Sequence, residues 1–289
     1  MSANLNRREA LAAGLSLPLM SAVAEAAEKP AAVDALTVVI MDPLAAPLSC
    51  PCVKGYAQRD YDKLGKHLES KLGRPVAVHY AETLAGALTK KTGGKADLII
   101  GKDSVVRAEA VANKLTVTHL VALTGKDGKT TQTGLICVAA ADKALTAADL
   151  KGYTIFFGIA DAEEKHAAAI KSLKELGVDV PAKPETLPAC TDGALKVIEL
   201  SRGGEKVATV ISSYAQPLLE GCGTIKKGDI RMVGETDPVP FVAAFATASL
   251  SAGERTAIKA ALLAVGSSKD LCAALETKAG FVEPEAKKK

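Results

Sequence analysis

Short continuous apolar runs alternate along this chain with longer segments in which apolar residues recur every three or four positions. Residues 36–41, Leu-Thr-Val-Val-Ile-Met, form one run of strand length. Residues 58–72 then place Tyr61, Leu64, Leu68 and Leu72 on one helical stripe, which Gly73 and Pro75 stop. "PVAVHY" predicts a strand and "ETLAGALTKK" a helix; "ADLIIG" (96–101) predicts a strand running into a helix over "KDSVVRAEAVANK", capped near Asp103 or Ser104. Two more strands, "TVTHLVAL" and "TGLICVAAA", flank the turn-rich "TGKDGKTTQ".

A second set repeats the alternation. "DLKGYTIFFGI" contains a strand, "EEKHAAAIKSLKELG" a helix ended by Gly177, "CTDGALKVIELSRGG" a helix, and "KVATVISS" and "FVAAFATASL" strands, with two helices over 251–276. Strand–helix alternation of this kind predicts an α/β fold with largely parallel sheets covered on both faces. The length of 289 residues, 48% hydrophobic, suits two lobes better than one.

Charge and the N-terminus narrow the setting. A net charge of +3 is too mild for a nucleic-acid partner, and Lys287–Lys289 reads as a solvated tail. Asn6-Arg7-Arg8-Glu9 followed by the apolar "AAGLSLPLMSAVAEA" reads as an export signal of twin-arginine type, cleaved near Ala26. Residues 1–26 are assigned to it, placing the mature protein in the periplasm, with no membrane span and as a monomer. All six cysteines (50, 52, 137, 190, 222, 272) lie in the mature part. In an oxidising compartment they first suggest disulfides, such as Cys190–Cys222 and a bridge to Cys272, with Cys137 a buried small hydrophobe.

Four pieces, in order, resemble the phosphonate-type solute-binding proteins of ABC transporters. They are the first strand with "YDKLGKHLESKLGRPVAVHYAETLAGAL"; "ADLIIGKDSVVRAEAV"; "AADLKGYTIFFGIAD" with "KELGVDV"; and "GALKVIEL" before "KVATVISSYAQPL", closed by "DPVPFVAAFATASLS". The resemblance implies a type II periplasmic-binding-protein fold. Lobe one would take 33–141 and 239–289, lobe two 142–238, with crossings near 130–142 and 235–241. A small molecule or ion would bind in the cleft between them and pass to an ABC permease. Because parallel sheets bind ligands beyond the carboxyl ends of their strands, Lys102, Ser104, Asp161, His166, Thr191, Ser212, Ser213 and Tyr214 are the expected ligand contacts.

One stretch departs from the family pattern. Where a hydroxyl-rich turn is expected after Phe157-Gly158, this chain has Asp161, Glu163 and Glu164, with Lys165 and His166. Three carboxylates in the first turn of a helix would repel a phosphonate. The Cys50-Pro51-Cys52 triplet after the first strand suggests a second reading, a metal- or redox-handling protein. There Cys50, Cys52, Cys190 and His166 would clamp copper or zinc, with Asp161 adding an oxygen. The main reading needs no cofactor. Gly-x-Ser-x-Gly, His-Glu-x-x-His and a phosphate loop do not occur, so an enzyme is not expected. With no Trp and 3% aromatic residues, an aromatic cage or sugar platform is excluded.

Overall fold

The computed structural model describes residues 34–49 and 57–284. The proposed export signal and the Cys50–Cys52 loop lie outside them. The chain opens with β1 (Leu36–Met41), α1 (Tyr61–Leu72), β2 (Val76–Tyr80), α2 (Leu84–Lys90), β3 (Leu98–Lys102), α3 (Asp103–Ala112) and β4 (Val117–Leu123). It crosses at β5 (Thr131–Gln132) and continues through β6 (Gly134–Ala139), β7 (Thr154–Phe157), α4 (Ala167–Glu175), β8 (Glu185–Thr186), α5 (Cys190–Arg202), β9 (Val207–Ser212), α6 (Ala215–Gly221) and β10 (Ile230–Glu235). It returns at β11 (Val239–Pro240) into β12 (Val242–Thr247), α7 (Ala252–Leu263), α8 (Lys269–Ala274) and β13 (Phe281–Val282).

These elements build two α/β lobes. Lobe one carries the six-stranded sheet β13-β4-β12-β3-β1-β2, and lobe two the five-stranded sheet β10-β6-β9-β7-β8. Both sheets are mixed. β1 pairs in parallel with β2 and β3, and β7 with β8 and β9, as βαβ units require. The strands next to the crossings run the other way: β12 is antiparallel to β3 and β4, and β6 to β9 and β10. The crossings themselves pair as a two-stranded ribbon, Val239 opposite Gln132 and Pro240 opposite Thr131. The first crossing therefore precedes "GLICVA", and that strand belongs to the second sheet rather than ending lobe one. Its antiparallel partners β9 and β10 lie far away in sequence, so local pattern could not assign it.

The helices form for the reasons their sequences suggest. Asp60 accepts from the Lys63 N–H at the start of α1, Gly73 ends it in the left-handed region (φ 62°), and Tyr61, Leu64 and Leu68 face the core. α3 departs from expectation: neither Asp103 nor Ser104 caps it. The Asp103 carboxylate is held by Arg107 (2.6 Å), and the Ser104 hydroxyl is used across the cleft. β1, β3 and β12 are wholly buried, with Leu36, Val38 and Ile40 on one face and Val39 and Met41 on the other. This rigid sheet carries the loops that meet lobe two.

Candidate functional site

The loops after the strands' carboxyl ends converge on a cleft of about 480 Å³ between the lobes. Lobe one contributes Met41, Leu44, Leu48, Glu82, Lys102 and Val105. Lobe two contributes Ile159, Ala162 and Lys165, the α5 start from Pro188 to Thr191, and Tyr214, Leu218 and Leu219 around α6. The wall is largely apolar, with a few polar groups set into it.

The loop after β1 is held rigidly. Asp42 is fully buried; its Oδ2 accepts from Arg59 Nη1 (2.8 Å) and the Tyr61 hydroxyl (2.6 Å), and its Oδ1 from the Leu44 N–H (3.0 Å). Arg59 also donates to the Leu275 carbonyl and lies over the Phe241 ring, 5.2 Å from its centroid. Tyr214 stacks on the same ring at 5.3 Å, so an aromatic from lobe two packs onto the return strand of lobe one.

A buried ion pair joins the lobes. Lys102, at the end of β3, meets Glu164 from the short 3-10 turn Glu163–Lys165, and the Ser212 hydroxyl at the end of β9 donates to the same carboxylate oxygen (2.6 Å). Glu164 Oε2 is buried and has no hydrogen-bond partner among the described residues. Burial alone would raise the Glu164 pKa, but the Lys102 ammonium and the Ser212 hydroxyl outweigh it and hold the carboxyl below its ordinary value. Burial lowers Lys102, while Glu164 works to keep it protonated. Beside this pair, the Ser104 hydroxyl donates to the Asp161 carbonyl (2.7 Å) and accepts from the Glu163 N–H (3.3 Å), again across the cleft.

Lys165 behaves differently from Lys102. It is 94% buried and lines the cleft, its exposure being 6%. Among the described residues no carboxylate lies at ion-pair distance from it. Its Nζ reaches only the Pro188 carbonyl, at 3.5 Å. The side chain lies over Gly158, where a Cβ would stand 2.5 Å from Lys165 Cβ and 2.7 Å from its Cε. That glycine is what lets the ammonium settle into the wall.

The expected contacts divide accordingly. Lys102, Thr191, Tyr214 and Cys190 line the cleft. Ser104, Asp161 and Ser212 sit at the lobe contact, bound to protein partners as described. Ser213 accepts from the Thr133 N–H (3.3 Å), next to the crossing. His166 Nδ1 donates to the Gly158 carbonyl (2.8 Å) and its ring meets Phe157 edge-on at 6.1 Å, so it turns toward the core. The three carboxylates do not converge either. α4 begins only at Ala167, Glu163 is exposed, and Glu164 is neutralised by Lys102. Among the described residues no group of three or more His, Cys, Asp or Glu could hold a metal. The copper or zinc clamp is unsupported: Cys190 Sγ accepts from the Ser212 N–H (3.4 Å), away from the His166 partners, and Cys50 and Cys52 lie outside the described residues. Cys137, Cys190, Cys222 and Cys272 are free thiols, so neither the Cys190–Cys222 bridge nor one to Cys272 is formed. The cleft positions of Leu44, Leu48, Val105 and Leu218 and the burial of Lys165 had no local signal, since each follows from where the lobes meet.

The family described as the periplasmic substrate-binding protein of phosphonate ABC transporters matches residues 55–288. No curated protein sequence matches significantly. Solved structures share the fold. A binding-protein component of an ABC phosphonate transporter from Pseudomonas aeruginosa aligns with a TM-score of 0.63 at 15% identity, over 86% of this chain and 81% of that one. PhnD1 of Prochlorococcus marinus, in complex with methylphosphonate, aligns at 0.61 and 13%, over 88% and 93%. A Xanthomonas citri protein bound to chloride aligns at 0.63 and 16%, over 88% and 92%.

Proposed function

The chain belongs to the phosphonate periplasmic substrate-binding family of ABC transporters, and on that premise we propose that it captures a small organic anion between its lobes for a membrane permease. Lys165 carries this reading. A buried ammonium with one long hydrogen bond is costly, and an anion in the cleft supplies the missing partner as a charge-assisted bond. The start of α5 lies on the same wall and adds the partial positive charge of a helix N-terminus. The volume suits a small molecule, whose apolar body would rest against Leu44, Leu48, Val105 and Leu219.

Capture would work by hinge closure. The β5–β11 ribbon is the thin connection about which lobes of this kind rotate, and ligand contacts to both walls favour the closed form. Delivery requires export, which the Arg7-Arg8 segment and its apolar continuation support. No helix among the described residues is long and apolar enough to cross a membrane.

Thermal unfolding of the purified protein with a panel of organic anions tests the proposal. A ligand at a hundredfold excess over its Kd adds about 2.7 kcal/mol, or roughly 5–10 °C in Tm for a domain of this size. Lys165→Gln should abolish the shift. A panel without effect, or an unchanged shift in the variant, would overturn the reading.

A further inference from the structure

Three charges are buried where the lobes meet. Lys102 and Lys165 expose 6% each and Glu164 none. The Glu164 carboxylate is bound to Lys102 and also holds the Ser212 hydroxyl, so the Lys102 charge is already balanced within the protein. Lys165 has no carboxylate at ion-pair distance among the described residues. Glu82, the one carboxylate that lines the cleft among those residues, is exposed, and Asp42 is taken by Arg59 and Tyr61. The buried cluster therefore sums to one surplus positive charge, to which the α5 start adds less than a full unit.

We infer that Glu164 sets the charge of the ligand: by occupying Lys102 with a carboxylate of the protein's own, it leaves the cleft complementary to one negative charge, held at Lys165. The cleft then selects singly charged organic anions over doubly charged ones. A second negative charge at Lys102 would sit close to Glu164 behind the largely apolar cleft wall, where repulsion is stronger than in water. Glu164 keeps its charge, because the Lys102 ammonium and the Ser212 hydroxyl stabilise the ionised carboxylate. This inference rests on the cleft-capture reading above.

The test compares two probes that differ by one charge: propylphosphonate, at a pH where it is a dianion, and its monomethyl ester, with butyrate as a monoanion of different head group. Isothermal titration on the full chain should show the ester binding the wild type at least about tenfold tighter than the dianion. Glu164→Gln raises the buried charge by one and should reverse that order. Should that variant not fold, K102Q/E164Q removes both partners, restores the sum to one, and should again prefer the ester. A wild type that binds the dianion as tightly as the ester, with binding lost in Lys165→Gln, would overturn the role of Glu164 and leave capture standing. So would an unchanged order in folded Glu164→Gln. A wild type that binds none of the three probes would overturn the capture reading itself.

Discussion

Replacing Asp42 by Ala removes one carboxylate and strands three donors, because Arg59, the Tyr61 hydroxyl and the Leu44 N–H all end on it. Arg59 is the expensive one. At 3% exposure it keeps the Leu275 carbonyl (3.1 Å) and the Phe241 face, but loses its counter-charge. Breaking one side of a buried pair costs about 3–5 kcal/mol, largely because the surviving charge stays buried. At roughly 2–4 °C per kcal/mol, Tm should fall by about 6–20 °C. The mechanism makes a sharper demand on the double variant D42A/R59M. Methionine keeps much of the packing on Phe241 and removes the stranded charge, so the double variant should be more stable than Asp42→Ala alone. The chain has no Trp, so urea unfolding is best followed by far-UV circular dichroism. Strictly additive losses, or a cost below about 1 kcal/mol for Asp42→Ala, would show that the pair does not hold the loop as argued.

Further outcomes follow from other contacts. Gly134→Ala would set a Cβ onto the Glu164 carbonyl oxygen and 3.1 Å from Thr236 Cγ2; with backbone as the obstacle, it should cost about 2–3 kcal/mol and lower Tm in thermal unfolding. Glu164 has a folded pKa below its ordinary 4.5, so its stabilising contribution is complete above that value and lost as pH falls through the folded one. Urea midpoints measured from about pH 6 down to pH 3 should therefore drop more for the wild type than for Glu164→Gln, and parallel curves would contradict the pairing. Burial pushes the Cys137 thiol up to about 12, so iodoacetamide on the native protein should modify the part-exposed Cys190, Cys222 and Cys272 and leave Cys137 until unfolding. Peptide mass spectrometry reads this directly, and rapid native labelling of Cys137 would refute it.

Much of the architecture was legible before any coordinates. The Tyr61-Leu64-Leu68 stripe, the Gly73 stop and the largely apolar, buried β1 and β9 follow from local periodicity and backbone preference, which act over a few residues. The loops after β3 and β9 were correctly directed toward the other lobe, because chain direction in a parallel sheet dictates where carboxyl ends point. Strand membership was less accessible: "GLICVA" looks the same in either sheet, and only its pairing with β9 and β10 places it in lobe two.

Periodicity along the chain was enough for most of the strands and helices, their order, and hence two α/β lobes with facing loops, although β8, β10, α6 and β13 escaped it. The chemistry between the lobes came from long-range packing. Glu163, Glu164 and Lys165 are consecutive and read together as the charged first turn of a cleft-facing helix, yet Glu163 is exposed, Glu164 pairs with Lys102 from the other lobe, and Lys165 lies over Gly158. The physical reason is that a charged side chain is buried only where a partner or cavity awaits it, and such partners come from segments far apart in the chain.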